Sequence, residues 1–372
     1  MPTRPDLTEP VHVAEPVHVA DRCPEPALPE ARGPVSAAVL AALRGGPVPA
    51  ELPDGTLAPR GGRFRPDTDR PDPYGGDPYG GDPYGGDPQL ALYCLYELHY
   101  RGFAGVDPDL EWDPDLLAVR RALERAFEAE LRADVPPGDD VDAEVAALLV
   151  EPPERDGAGV SHHLLRDGQL WQLREYVAHR SLYHLKEADP QAWVIPRLAG
   201  PAKAALVAVE HDEYGAGDPD RVHAEMFARM LRALRVDDRY GAHLDAAPAA
   251  TLAEVNFMSL CGLHRRLRGA LVGQFAAVEL TSSPGSGRLA RAVRRLAEPA
   301  AAEFYAEHVE ADAVHEQLVR RGVLTPLLAA EPGLAADVVF GIRASGLLAT
   351  RLERHLLARW AAGESSLRGR AA

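Results

Sequence analysis

Residues 304–315 read Phe304-Tyr305-Ala306-Glu307-His308-Val309-Glu310-Ala311-Asp312-Ala313-Val314-His315. Wound as an α-helix, side chains three, four and seven positions apart share one face. Phe304, His308, Ala311, Asp312, His315, Leu318 and Val319 then look into a core, while Glu303, Glu307, Glu310 and Glu316 look into solvent. Two imidazoles and a carboxylate so placed cost on the order of several kcal/mol if left without partners. They are also a ligand set that suits iron. A His–Asp hydrogen-bonded pair with one further histidine is the structural alternative.

The helical period extends on both sides of this run. From Pro88 onward, apolar residues spaced by three and four predict helices over 89–103, 114–134, 140–150, 168–187, 200–214, 219–235, 249–264, 266–281, 287–308 continuing to about 321, and 334–361. Breaks are expected at Pro136-Pro137-Gly138, Pro152-Pro153, Pro190, Gly215 to Pro219, Ser283-Pro284-Gly285 and Pro332-Gly333. The last helix carries the stripe Leu334, Val338, Ile342, Ser345, Ala349, Leu352, Leu356, which is that of a helix packed against a bundle. Strand-like alternation is scarce. The expected fold class is all-α, with one bundle domain over 89–362, accessory helices in 89–150, a core in 165–362 and a flexible tail over 363–372.

Residues 1–88 have a different texture. Glu9–Ala14 (EPVHVA) repeats at once as Glu15–Ala20, and Asp72–Gly76 (DPYGG) occurs three times in tandem. Proline and glycine at this density, with little apolar surface to offset ordering entropy, predict a disordered extension. Val35–Leu43 is the exception, with the pattern of a short helix. His12 and His18 in the repeat could bind metal weakly, but a duplicated linker explains them as well.

The formal net charge is −16, which disfavours nucleic acid and anionic membranes as partners. The three cysteines, Cys23, Cys94 and Cys261, form neither a zinc pattern nor a disulfide framework, so a reducing, cytoplasmic setting is expected. No run reaches the roughly 18 apolar residues that span a bilayer, and no apolar leader follows Met1.

Other helices carry acids at the ends of apolar stripes. Over 266–281, Leu267, Leu271, Phe275 and Val278 bring Glu279 near the inward side. Over 200–214, Leu206 and Val209 lead to Glu210 and Glu213, and His223 follows the glycine-rich break. Over 168–187, Leu173, Tyr176, Val177, Arg180, Tyr183 and His184 lead to Glu187. Carboxylates and imidazoles from facing bundle helices are how di-iron sites are built.

On these residues the chain resembles the heme-oxygenase-like diiron oxidases and oxygenases, a family of iron-containing redox enzymes. The resemblance spans about 89–362 and is carried by Leu95–Phe103 (LYELHYRGF), Tyr183–Pro190 (YHLKEADP), Asp212–Gly217 (DEYGAG) leading to His223, and Phe304–His315. It implies two Fe(II) ions per chain, O2 as co-substrate, a small organic substrate and an external electron donor. It implies as ligands Glu187, Glu213, His223, Glu279, His308, Asp312 and His315, with Glu210 and His184 as the nearest rivals. Glu97 and His99 read as structural, and Tyr183, Tyr214, Phe275 and Tyr305 as pocket wall or ordinary core. The first helices either cover one end of the site or support a homodimer contact. A ferritin-like iron oxidase or store and a non-catalytic helical interaction protein are the other classes. The former uses paired Glu-x-x-His motifs, which here occur only in the N-terminal repeat.

Overall fold

The computed structural model describes residues 25–49, 82–150 and 159–369. Among them there is no strand. The helices are α1 Pro34–Leu43, α2 Gly86–Glu97, α3 Pro114–Asp134, α4 Val141–Leu148, α5 Val160–Arg166, α6 Leu170–His184, α7 Asp189–Ala192, α8 Gly200–Glu213, α9 His223–Ala233, α10 Ala249–Leu263, α11 Arg268–Leu296, α12 Glu303–Gln317, α13 Thr325–Ala330 and α14 Ala335–Ala361. A π-helical stretch, Leu318–Leu324, joins α12 to α13. The described residues form the all-α bundle expected from the sequence.

Two apolar clusters make up the core. One gathers α1, α2, α3, α10 and the first halves of α11 and α14 around Leu90, Phe257, Leu271 and Val339. The other gathers α5, α6, α9, α12 and the second halves of α11 and α14 around Leu173, Phe227, Phe304 and Leu356. Helices α11 and α14 run through both and pack on each other. Their contact is backbone-close: a Cβ on Gly273 would lie 2.1 Å from the Val338 carbonyl oxygen, and one on Gly341 would lie 2.1 Å from that of Ala270.

Three expectations need correction. The break at Ser283-Pro284-Gly285 does not occur, and α11 passes through Pro284 unbroken. Its length is held by packing along α12 and α14, and Ser283 Oγ donates to the Val309 carbonyl at 3.1 Å. Tertiary contact thus outweighs the local cost of a proline. The chain instead breaks at Ala297–Ala302, ahead of α12.

The extension drawn to residue 88 also reaches too far. Residues 25–49 and 82–88 belong to the helical body, whereas 1–24 and 50–81, with the EPVHVA repeats and the first two copies of DPYGG, lie outside the described residues. In α1, Val35, Val39, Leu40 and Leu43 are buried. Asp87, at the start of α2, accepts from the Val35 and Ser36 backbone N–H groups at 2.9 and 2.7 Å and so caps α1. In the third DPYGG copy, the Tyr84 ring meets Phe127 edge-on and its hydroxyl donates to Asp134 at 3.1 Å.

The tail over 363–369 is held down rather than free. Ser365, Ser366 and Leu367 are buried. Glu175 of α6 accepts from the Ser366 N–H, the Ser366 Oγ and the Trp360 Nε1 at 2.8, 2.7 and 2.9 Å, and also from the Ser365 Oγ.

Residues 332–361 are long enough, and over an 18-residue window with a mean hydropathy of 1.3 apolar enough, to cross a membrane by length and composition. That helix packs here against α10 and α11, and Arg343 and Arg351 on it pair with Glu144 and Asp134 at 2.6 and 2.7 Å.

Because neither backbone can yield at the α11–α14 crossing, Gly273→Ala is expected to destabilise the protein by about 1–3 kcal/mol. Urea unfolding measures this. An unchanged midpoint would show that the crossing is looser than described.

Candidate metal centre

The polar groups lie where the two apolar clusters meet. Helix α11 changes from one cluster to the other between Leu280 and Leu289, and Glu279 stands at that seam. Helix α12 faces it with His308, Asp312 and His315, all buried. Glu213 ends α8, and His223 begins α9. The turn between them depends on Gly215, whose φ is +77° and where a Cβ would lie 2.7 Å from the Val222 nitrogen. This close turn brings Glu213 and His223 together. Glu187 lies just beyond the end of α6.

Two sets of side chains converge. Glu187, Glu213, His223 and His308 offer ligand atoms that all lie within 4.8 Å of one another, and so do Glu213, Glu279, Asp312 and His315. Glu213 belongs to both. All seven sequence-derived candidates are thus brought to one place, and all are buried.

In the first set, Glu187 Oε2, Glu213 Oε2, His223 Nδ1 and His308 Nε2 are buried and make no hydrogen bond. His223 Nδ1 stands 2.6 Å from Glu213 Oε2 without hydrogen-bond geometry, and His308 Nε2 stands 3.9 Å from Glu187 Oε2. The His308 Nδ1 donates to the Phe304 carbonyl at 2.8 Å, which leaves the Nε2 lone pair facing the cluster. Orphaned acceptors pointed at one another are costly unless a cation sits among them. The residues therefore fit a divalent metal.

In the second set, His315 Nδ1 lies 3.2 Å from Glu279 Oε2, 3.5 Å from Asp312 Oδ1 and 3.6 Å from Glu213 Oε1. Two further side chains support it. Asp212 Oδ2 lies 3.3 Å from His315 Nε2, and Ser282 Oγ donates to Asp312 Oδ2 at 2.5 Å. The sequence reading missed both. Asp212 falls on the outward side of the α8 stripe, and Ser282 falls where a break was expected.

The rivals stand beside these sets rather than in them. His184 Nδ1 is hydrogen-bonded to Glu187 Oε1 at 2.9 Å. Glu210 is buried with both carboxyl oxygens unpartnered, and burial, then Glu213, pushes it up to about 9. Phe304 and Phe227 pack around His184, and Phe304 also contacts His308 at a ring distance of 4.2 Å. Tyr183, Phe275 and Tyr305 are buried, and the Tyr305 hydroxyl has no partner. Tyr214 is 38% exposed and donates to Asp189 at 3.0 Å, so it is not part of an inner wall.

Burial, then Glu187, pushes Glu213 up to about 8. Burial likewise lifts Glu279 to about 8, despite its hydrogen bond to His315. Burial opposes charge on Glu187 too, yet His184, His308 and His223 hold it down at about 2. Burial also opposes a charged His315, but Asp312 and Glu279 raise it to about 11. In chelator-treated protein, the contribution of protonated Glu213 and Glu279 is full below their ordinary 4.5 and is lost as pH rises through about 8. That of protonated His315 is full below 6.5 and is lost as pH rises towards about 11. Chelated protein should therefore lose Tm between about pH 5.5 and about pH 8.5. Glu213→Gln, which stays neutral, should lose less. Thermal unfolding of the chelated wild type and this variant tests the point, and equal slopes would show that Glu213 does not titrate in that window.

Residues 174–349 match the family model described as iron-containing redox enzyme. That segment holds both sets of side chains. No curated protein matches the chain. Over residues 174–349, just under half of its length, the chain is similar to the iron-containing redox enzymes.

Proposed function

We propose that the protein is a non-heme di-iron oxidase or oxygenase that uses O2 to oxidise a small organic substrate. The observation that carries this reading is the membership of Glu213 in both sets of four ligand groups. One carboxylate common to two neighbouring cation positions is a feature of carboxylate-bridged metal pairs in bundle cores. Glu187, His223 and His308 would hold one ion and Glu279, Asp312 and His315 the other. When bound, two ferrous ions supply the electrons for reduction of dioxygen, with an external donor restoring them.

The remaining roles fall to the chain's own residues. Phe304 and Phe227 keep water from the histidines, and the Phe304 carbonyl and Asp212 orient His308 and His315. Glu210 retains a carboxyl proton near neutral pH beside Glu213. N-oxygenation, desaturation and oxidative C–C cleavage are the outcomes open to such a centre, and the substrate chooses among them. Iron storage is less well supported, because the two sets are fully buried and no paired Glu-x-x-His motif contributes to them.

Anaerobic Fe(II) titration should saturate at two equivalents per chain, and admitting O2 should consume it. Glu213→Ala should abolish binding of at least one equivalent and lower O2 consumption by at least about tenfold, the scale of losing a metal-site residue. Wild-type protein that binds no iron, or a Glu213→Ala variant that still binds two, would overturn the reading.

A further inference from the structure

Glu187 differs from the other six candidate ligands in its backbone. Glu213, Glu279, His308, Asp312 and His315 lie within helices, and His223 opens one. Glu187 sits in the irregular turn between α6 and α7. No helical ladder fixes it, so something else must.

The flanking residues are tied to a segment that precedes the family match. Lys186 is 2% exposed, and its Nζ donates to Glu97 Oε2 at 3.0 Å. The ammonium lies 4.2 Å from the ring centre of Tyr100 and 4.9 Å from that of Tyr93. The other carboxylate oxygen, Glu97 Oε1, accepts from the Tyr240 hydroxyl at 2.6 Å and from the Arg101 N–H at 3.3 Å. Arg101 Nη2 in turn donates to the Leu185 carbonyl at 3.2 Å, while its guanidinium covers the Tyr240 ring at 4.2 Å. Residues 185 and 186 are thus both fastened to the end of α2, immediately before Glu187.

A fully buried ion pair is seldom a net source of stability, since desolvation cancels much of the attraction. It does fix two side chains in one arrangement. We propose that Lys186, through Glu97, is a positioning residue that presents Glu187 to the first metal position. On this reading, the LYELHYRGF segment belongs to the site, although none of its side chains is among the seven ligand groups. The inference rests on the two-iron reading above.

The test is Fe(II) titration of the neutral pair Glu97→Gln/Lys186→Met, with Tm measured alongside. The glutamine carbonyl would still accept from Tyr240, and no charge would be stranded. One of the two equivalents should weaken by roughly 10–100-fold, as for loss of a group that orients a ligand, while the other keeps its wild-type affinity. Adding Glu279→Ala should then remove the remaining equivalent. Adding Glu187→Ala instead should cost no more than it does in the tethered protein, because both changes act on the same ion. Tyr240→Phe, which removes a single bond to Glu97, provides a milder version if the pair folds poorly. Its weakening should fall on the same equivalent and should be smaller. A well-folded variant of either kind that binds both equivalents with wild-type affinity overturns the proposal. Wild-type protein without two equivalents would instead overturn the two-iron reading.

Discussion

Burying carboxylates governs this molecule. Glu187, Glu213, Glu279 and Asp312 share one interior space with three imidazoles, and several of their oxygens and nitrogens have no hydrogen-bond partner. Isolated charges in such a place are prohibitive, so they must be protonated, paired or bound to a cation. Burial pushes Glu213 and Glu279 up and so favours their neutral forms, while, against burial, Asp312 and Glu279 push His315 up and favour its protonated form. A metal would replace those protons, which links the site's occupancy to pH.

The architecture places this costly group between two apolar clusters rather than inside either. Helix α11 links the clusters, and its polar residues Glu279, Ser282 and Ser283 occupy the seam, facing α12. The close α11–α14 crossing at Gly273 and Gly341 holds α11 in place. Segments outside the matched region then brace the rest. The end of α2 holds the approach to Glu187, and the strap over 363–369 holds α6 through Glu175.

Periodicity and local punctuation made much of this legible. Helix α3 begins at Pro114 because Asp113 caps it, accepting from the Asp115 and Leu116 N–H groups, and both signals are visible in the sequence. The α12 run shows its inward His and Asp residues directly, since spacing along a helix dictates facing. Spacing cannot separate Glu213 from Glu210, since both lie on the inward stripe of α8. The left-handed turn at Gly215 makes that choice by carrying His223 back towards Glu213. Composition also misled where distant partners decide the outcome. Pro284, residues 25–49 and the tail each look like breaks or loose chain, and each is held by contacts remote in sequence, such as Asp87 on α1 and Glu175 on Ser366.

The most direct measurement of the central claim is anomalous diffraction at the iron edge from crystals grown anaerobically with Fe(II). Two peaks are expected, roughly 3.5–4 Å apart, with the Glu213 carboxylate reaching both. A single peak, or a pair in which Glu213 touches only one ion, would contradict a shared-carboxylate centre.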